Sequence, residues 1–319
     1  MKKTNHIYPL KLNCVSKETI WGGSYLYERY AKLPKGSIGE TWELSVRDKE
    51  RNTISGGACN GMTLNEYLEK YSEISPSQFP LLIKFIDACD DLSVQVHPSD
   101  ENASLFNLPN GKTEIWYVLS AEPDASIVYG AVPGTTKEML REALQRGTAT
   151  DLLNYVRVSL GDTYFIPGGM IHMIGRGIAV AEIQQNSDTT FRVYDHGRVD
   201  KNGKGRELHT ESALAAFTPF SDEEIRALRF SRSVKNDFGG QVLTSNHFFT
   251  VISRSIKERA EFSKLPDGFL SLLCTNGSGS IAWDGENDLV TAGDSFFIPS
   301  ALEAFELDGN MEILLSFPN

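Results

Sequence analysis

Four residues in the first two-thirds of the sequence carry donor atoms that divalent metals prefer. Gln95 and His97 lie two apart in SVQVHPSD, so on a strand both side chains would point to the same face. Glu114 opens the segment EIWYVLSA, and His172 follows the tight turn PGGM. Two imidazoles, a carboxylate and a carboxamide suit zinc or a similar divalent ion, and three strong ligands with open positions are typical of a catalytic site. The sequence therefore predicts one catalytic metal centre at these four positions.

The segments around these residues have the pattern of short β-strands. They alternate with period two or are rich in β-branched and aromatic residues, and Gly, Pro, Asn or Asp residues bound them. Many short strands at even spacing are typical of an antiparallel barrel or jelly roll. We therefore expect an all-β fold whose strands include LLIKFIDA, LSVQVHP, EIWYVLSA, ASIVYGAV, YVRVSLG, TYFIPGG, IAVAEIQQ and TFRVYDHG.

Helices are few, and capping residues mark where they begin and end. Thr63 precedes LNEYLEKY, and Thr136 precedes a segment that ends at Gly147, a residue suited to a helix C-terminus. Ser221 and Glu224 have the spacing of a capping box. Together with the preceding segment TESALAAF, the helix after Ser221 forms a predicted small helical insert.

An internal repeat indicates two related units. GDTYFIPGGMIHMIG and GDSFFIPSALEAFEL align without gaps, so His172 corresponds to Ala304. Upstream, EIWYVLSA is similar to GFLSLLCT, which makes Gly268 the counterpart of Glu114. Because the second unit lacks these polar residues, we predict that its role is structural and that the chemistry lies in the first unit.

The length of the chain also favours more than one domain. A chain of 319 residues exceeds the usual size of a domain with a single core. We predict a catalytic metal-binding domain of residues 1–209, a helical connection of residues 210–235, and a degenerate C-terminal barrel of residues 236–319 without metal ligands.

Bulk composition restricts the partners and the compartment. Lys and Arg number 31 against 42 Asp and Glu, and the formal net charge of −11 repels nucleic acid and anionic lipid. The four cysteines are scattered without a CxxC pair, which is typical of thiols in a reducing compartment. The start MKKTNHIYPL lacks the apolar core of a signal peptide, and FPLLIKFIDAC is too short to span a bilayer. We expect a cytoplasmic protein without nucleic-acid or membrane partners, and the sequence carries no signal for its oligomeric state.

A glycine-rich turn precedes His172. The segment GDTYFIPGGMIH satisfies the pattern G-x5-P-x-G-x2-H, which resembles the second motif of the cupin superfamily, whose double-stranded β-helix barrels bind metals at the barrel mouth. Its glycines allow the tight reversal that aims the histidine inwards. The first motif departs from the generic cupin, because this chain has QxH and Glu114 lies much further on. The resemblance implies two cupin-like double-stranded β-helix (jelly-roll) barrels with a small helical insert.

Four separated segments occur in an order that is more specific than the cupin pattern. QVHP, GKTEIWYVL, PGGMIH and QQNSDTTFRVYD together resemble the type I phosphomannose isomerases, and more closely their shorter bacterial form. The resemblance extends from TIWGG and GETWELS near the start to RELHTESAL. It implies that one zinc ion per chain is ligated at the positions matching the family motif, which are Gln95, His97, Glu114 and His172, and that Arg192 is the catalytic arginine.

The resemblance further implies an aldose–ketose isomerase that interconverts mannose 6-phosphate and fructose 6-phosphate through a cis-enediol. Such a reaction moves a proton between C2 and C1, so the site needs a base and must stabilise negative charge on the enediolate oxygens. The permanent charge of Arg192 suits the enediolate or the phosphate, and we favour the enediolate. Lys112, two residues before Glu114, and Lys84 are further cations that could contact the phosphorylated hexose. Metal-bound hydroxide, Lys112 and a nearby carboxylate are all candidates for the base.

Two other classes of function are alternatives. An iron-dependent cupin oxygenase would use a similar set of histidine and carboxylate ligands. A non-catalytic sugar-binding cupin would keep the barrel without turnover, although intact ligands and Arg192 favour an enzyme. Lys84, Glu40 and Trp42 could also serve only to buttress the barrel, which is our interpretation of Trp42.

Overall fold

The computed structural model describes residues 6–30, 33, 35–199, 203–229 and 236–319, and over these residues the chain is built mainly of strands. The strands are β1 (Leu10–Asn13), β2 (Val15–Gly23), β3 (Ile38–Leu44), β4 (Thr53–Ser55), β5 (Leu81–Ala88), β6 (Val94–Val96), β7 (Glu114–Ala121), β8 (Ser126–Ala131), β9 (Leu153–Arg157), β10 (Thr163–Ile166), β11 (Ile171–Ile174), β12 (Ile178–Gln185), β13 (Phe191–Tyr194), β14 (Gln241–Ser245), β15 (Phe249–Ile256), β16 (Arg259–Ser263), β17 (Phe269–Trp283), β18 (Glu286–Thr291), β19 (Ser295–Pro299) and β20 (Ala304–Pro318).

Three of the helices begin after the capping residues that the sequence predicted. Thr63 starts its helix with a capping box, and the Thr136 side chain accepts a hydrogen bond from the third residue beyond it. Gly147 closes that helix with a φ of 73°, a conformation that favours glycine. The side chains and backbone of Ser221 and Glu224 exchange the hydrogen bonds of a capping box. The helices are α1 (Tyr25–Arg29), α2 (Leu64–Tyr71), α3 (Asp100–Ala103), α4 (Lys137–Arg146), α5 (Thr210–Ala216) and α6 (Asp222–Arg229).

Three antiparallel sheets form two barrels, and the six-stranded sheet of the first barrel packs against the second. A five-stranded sheet, β13-β6-β11-β8-β9, faces a six-stranded sheet, β10-β7-β12-β5-β2-β3, and together they make the first barrel. A nine-stranded sheet with the path β14-β15-β20-β17-β19-β1-β4 makes the second, with β16 paired to β20 and β18 to β17. The predicted all-β, cupin-like fold is confirmed, and α5 and α6 follow the first barrel as expected.

The six-stranded sheet is buried on both faces. Ile83 and Phe85 of β5 pack in a core shared with the second barrel, whereas Ile86 of β5 and Val180 of β12 pack inside the first barrel. Since strand side chains alternate between faces, the even-numbered positions of β5 and β12, and those of β7 as far as Val118, point into the first barrel. This double burial explains why these strands are long, nearly continuous apolar runs, and it places their few polar residues inside a barrel.

An N-terminal strand completes the sheet of the second barrel. β1 pairs with β19, with Leu10 opposite Phe297, and on its other edge with β4, with Leu12 opposite Ile54. One sheet thus contains strands from both sides of the predicted helical connection. The division at residues 209 and 236 stays a prediction, and residues 230–235 of that connection lie outside the described residues.

The strand register corrects one part of the repeat. Ile166 of β10 lies opposite Glu114, and its counterpart Ile298 of β19 lies opposite Leu270. The predicted counterpart of Glu114, Gly268, is therefore wrong by two residues. The upstream similarity was too weak to define register, which in a sheet is set by pairing. Leu270 is fully buried and apolar, so the second barrel still lacks a carboxylate at this position.

Two further sequence predictions concern the membrane and the thiols. Over the described ranges, no helix is long and apolar enough to cross a bilayer. All four cysteines are thiols rather than disulfides, as predicted, and Cys59 and Cys274 are buried.

Candidate metal centre

Strand pairing brings the predicted ligands together inside the first barrel. Gln95 of β6 lies directly opposite His172 of β11, and His97 follows β6 immediately. Glu114 begins β7 in the facing sheet and shares its inner face with Trp116, whose ring lies edge-on to the His172 ring with centroids 5.5 Å apart. The ligand set therefore converges from both walls of the barrel.

The distances between the donor atoms fit one metal ion. Nε2 of His97 lies 3.1 Å from Nε2 of His172 and 3.4 Å from Oε2 of Glu114, and Nε2 of His172 lies 3.5 Å from Oε1 of Glu114. Ligand atoms about 2.0–2.1 Å from a tetrahedral zinc lie roughly 3.3 Å apart. Among the described residues, these three form the group of His, Cys, Asp or Glu side chains that could hold a metal.

Both imidazoles are prepared for metal binding. Nδ1 of His172 donates to the Met170 carbonyl at 2.8 Å, which leaves the lone pair of Nε2 for a ligand. Burial lowers the pKa of His97 to about 3, and the positive charge of Lys112 adds to the effect. Burial likewise lowers the pKa of His172. Because a histidine must be neutral to bind a metal, these shifts favour the ligating form at neutral pH.

Glu114 is a buried carboxylate that fits a cation. Burial alone would raise its pKa, but Lys112 at 2.8 Å, together with His97 and His172, holds that pKa well below its usual range. Neither oxygen accepts a hydrogen bond from the part of the chain that the structure describes. Lys112 compensates the buried charge on one side, and both oxygens keep lone pairs that no hydrogen bond from a described residue occupies, so the donor set also fits a divalent metal.

Gln95 contributes an amide at the edge of this cluster. Its amide nitrogen lies 3.3 Å from Nε2 of His172, and an amide can exchange the places of its oxygen and nitrogen by rotation. The amide oxygen could therefore reach the same ion as the two histidines and Glu114.

Lys112 lies beside the ligands, as its spacing from Glu114 predicted. Its ammonium is 2.8 Å from Oε2 of Glu114 and 3.0 Å from Nε2 of His97, and the residue is buried. This position places a cation next to any substrate that reaches the metal.

Arg192 reaches the same region through β13. It lies opposite Gln95 in the β13–β6 pair, so the two side chains stand on one face of the sheet. Its Nη1 donates to the Glu207 carbonyl at 2.7 Å, while its buried Nε has no partner among the residues described. Burial and then the charge of Arg206 lower the pKa of the guanidinium, which nevertheless stays a cation at neutral pH.

Lys84 contacts two carboxylates of the central six-stranded sheet. Its ammonium is 3.4 Å from Oε1 of Glu182 and 3.8 Å from Oε2 of Glu40, and it lies 5.0 Å from the Trp42 ring. Burial lowers the pKa of Lys84, but the two carboxylates outweigh burial and raise it overall. These contacts favour the buttressing role over direct substrate contact.

Glu182 was not among the site residues predicted from the sequence. Its Oε2 accepts from Nε1 of Trp116 at 3.0 Å, and its Oε1 faces Lys84 without a hydrogen bond from any described residue. Burial, and then the charge of Glu114, raise the pKa of Glu182. A signal was present in the segment IAVAEIQQ, because a glutamate within an apolar strand needs a partner if both faces are buried.

Comparison with known proteins gives a consistent family. The sequence pattern of the phosphomannose isomerase type I catalytic domain matches residues 9–125, and that of the mannose-6-phosphate isomerase cupin domain matches residues 241–318. The chain is 35% identical over 317 residues to mannose-6-phosphate isomerase ManA of Bacillus subtilis, covering 97% of this chain and 98% of the relative. It is 34% identical over 316 residues to mannose-6-phosphate isomerase of Streptococcus mutans, covering 98% of each.

Solved structures agree with these relatives. The crystal structure of mannose 6-phosphate isomerase from Bacillus subtilis superimposes with a TM-score of 0.88 at 33% identity, covering 97% of this chain and 99% of that one. A phosphomannose isomerase variant from Salmonella typhimurium, 16% identical, shares the fold with a TM-score of 0.78 over 98% of this chain and 99% of its own. The chain thus belongs to the type I phosphomannose isomerases.

Proposed function

We propose that this chain interconverts mannose 6-phosphate and fructose 6-phosphate with one zinc ion held by Gln95, His97, Glu114 and His172. The observation that carries the proposal is the group of three buried side chains in the first barrel, His97, Glu114 and His172, whose donor atoms approach each other to 3.1–3.5 Å. The names of the relatives in Bacillus subtilis and Streptococcus mutans support the choice of substrate. Ligand type supports zinc, since two imidazoles and a carboxylate with an open position are typical of catalytic zinc sites.

The chemistry would be divided between the metal and the side chains around it. A divalent metal bound at this site polarises carbonyl and hydroxyl oxygens of the sugar. Lys112 and Arg192 supply positive charge that would stabilise the negative charge developing on the enediolate oxygens. The proton that moves between C2 and C1 of the sugar, by way of a cis-enediol, needs a base titrating near neutrality. Glu182, a buried carboxylate whose pKa burial raises, is one candidate for that base.

The direct test is isomerisation of mannose 6-phosphate by as-purified, chelator-treated and zinc-restored protein. We expect activity to be lost on metal removal and regained with zinc. A folded, zinc-loaded protein that does not turn over mannose 6-phosphate would contradict the proposed substrate. Binding of the sugar phosphate without turnover would instead establish a non-catalytic cupin, and a spectroscopically active iron in the purified protein would support an oxygenase.

His172→Ala provides the matched variant. Removing one of two imidazole ligands should reduce zinc content and lower turnover by at least about a hundredfold, because second-shell changes alone already cost about 10–100-fold. His247→Ala, at an exposed position of the second barrel, is the control and should keep both zinc and activity. Equal activity of the two variants would exclude His172 as a ligand.

A further inference from the structure

Three chain segments that carry the metal-site residues meet at one edge of the first barrel. The first follows His97, the second leads into Glu114, and the third is the turn before His172. The N–H of Gly169 donates to the His97 carbonyl at 2.8 Å, and the N–H of Lys112 donates to the Pro98 carbonyl at 2.9 Å. The first segment is therefore hydrogen-bonded to both of the others.

Two glycines allow the backbones of these segments to approach each other closely. A Cβ at Gly111 would lie 2.5 Å from the carbonyl carbon of Ser99, and a Cβ at Gly168 would lie 2.6 Å from its Cα. These distances are much shorter than van der Waals contact. The atoms that would clash belong to the backbone, which cannot rotate away as a flexible side chain could. Ser99 is thus packed between the two segments that lead to Glu114 and His172.

Gln185, the last residue of β12, ties these segments to the central sheet. Its Oε1 accepts from the Thr113 N–H at 2.8 Å, and its own N–H donates to the Thr113 carbonyl at 3.0 Å. Its Nε2 donates to Oδ1 of Asp100 at 3.1 Å, and the same oxygen accepts from the Gly111 N–H at 2.6 Å. Gln185 is buried, and its bond to the Thr113 N–H is shielded from water, whereas its bond to the exposed Asp100 is only partly so.

Thr113 continues the connection to the third segment. This residue lies between Lys112 and Glu114 and is buried, and its hydroxyl oxygen accepts from the Gly168 N–H at 3.3 Å. Through Gln185 and Thr113, one set of hydrogen bonds reaches all three segments that present the ligands.

We propose that Gln185 and Thr113 are positioning residues of the metal centre. They hold the segments bearing His97, Glu114 and His172 in the mutual position that brings the three donor atoms together, and they thereby set the affinity for the metal. This inference rests on the proposed function, since it concerns the same site. Donor atoms held by supporting hydrogen bonds bind metals more tightly than donors that must first be ordered.

Two substitutions remove these hydrogen bonds while keeping side-chain size. Gln185→Met loses both amide bonds, and Thr113→Val loses the hydroxyl acceptor. For each we would measure zinc affinity by competition with a chromophoric chelator, the visible absorption of the cobalt-substituted protein, kcat and KM, and the melting temperature of the metal-free protein. We expect metal affinity to fall about 10–100-fold and the cobalt spectrum to change.

Thr135→Val is the matched control. Thr135 is another buried threonine of the first barrel, and its hydroxyl donates to the Val132 carbonyl at 2.6 Å. Thr135→Val should lower the melting temperature as much as Thr113→Val does, but it should leave the metal affinity unchanged. Thr113→Ser keeps the hydroxyl and should restore metal affinity to within a few-fold of the wild type.

The outcomes separate this inference from the proposed function. Wild-type protein that binds zinc and cobalt, beside variants with unchanged affinity and spectrum, would overturn the positioning role alone. A loss of stability in Thr113→Val and Thr135→Val without a difference in affinity would do the same. A wild-type chain that binds neither metal would overturn the proposed metal centre and this inference together. If Gln185→Met does not fold, Thr113→Val carries the test.

Discussion

Single residues of the first barrel act through charge that water does not screen. Lys112 lies 2.8 Å from Glu114, and this contact keeps the carboxylate ionised although burial opposes it. The neutral histidines and the ionised glutamate are the protonation states that a metal requires. These charges therefore keep the site in the protonation states that bind a metal. A change to one of them should weaken metal binding more than it destabilises the fold.

Arg192→Lys tests the role of the guanidinium. Lysine keeps the charge but loses the planar fork of donors, so we expect kcat to fall about 10–100-fold, the cost of a lost hydrogen bond to a charged group. Steady-state kinetics on mannose 6-phosphate would measure the change. Arg157→Lys, at an exposed ion pair with Asp124, is the control and should behave as wild type. Unchanged turnover in Arg192→Lys would refute a role in stabilising the enediolate.

Asp87 predicts a pH dependence of stability that is independent of the metal. Burial raises the pKa of Asp87 to about 6, although its carboxylate accepts the Tyr25 N–H at 2.8 Å. A raised pKa means that the folded state binds the proton more tightly. The stabilising contribution is then full below the unfolded value near 3.8 and is lost as pH rises through about 6.

Asp87→Asn should remove this dependence. Relative to the variant, the wild type should lose free energy of unfolding between pH 4 and pH 7, as measured by urea denaturation across that range. A difference between the two proteins that does not vary with pH would show that the carboxyl is not shifted.

At the scale of elements, the local sequence pattern predicted strands and helices but not the contacts between them. The segment LLIKFIDA is β5 residue for residue, and Thr136 and Gly147 bound α4 as predicted. The residues of the candidate metal centre could also be proposed from the sequence, since each lies in a motif with its own spacing. The pair of Lys84 and Glu182 was not, because it depends on the β5–β12 register, and register comes from pairing rather than from either strand alone.

Lys84→Met tests what that pair contributes. The substitution leaves Glu40 and Glu182 without their shared counter-charge, and breaking a buried pair from one side costs about 3–5 kcal/mol. Urea unfolding of the metal-free protein would measure the loss. The double variant Lys84→Met, Glu182→Gln should recover part of it. Arg157→Ala removes an exposed pair and should change stability by less than about 1 kcal/mol. A Lys84→Met effect no larger than that control would contradict a buried, unscreened pair.

At the scale of the whole molecule, the repeat predicted two barrels but not how they are joined. Motifs of similar sequence revealed the second unit, whereas the contribution of β1 to its sheet left no local signal. The four residues LKLN could pair with any open edge. Contacts between residues this far apart in sequence depend on the packing of whole layers, which a single sequence does not display.

A truncated chain ending at residue 235 tests whether the first barrel is independent. The truncated chain would lack β19, the partner of β1. It would also expose the apolar face of the central sheet, where Phe85 packs in one core with Phe297 of the second barrel. We expect poor solubility and a strongly lowered melting temperature, measured by light scattering and calorimetry, because open strand edges and apolar faces associate. A soluble, monomeric fragment with the zinc affinity of the full chain would support the predicted division instead.

The pairing of β1 with β19 also has a consequence for biosynthesis. Leu10 leaves the ribosome early, but its partner Phe297 is made near the end of the described chain. At about 5–20 residues per second, the first strand waits on the order of tens of seconds before that edge is available. Between the synthesis of His172 and that of Phe297, the first barrel has its predicted ligands, but the face of its central sheet that packs on the second barrel is uncovered. Slow translation near the 3′ end of the message should therefore increase aggregation of the nascent protein more than slow translation near its start.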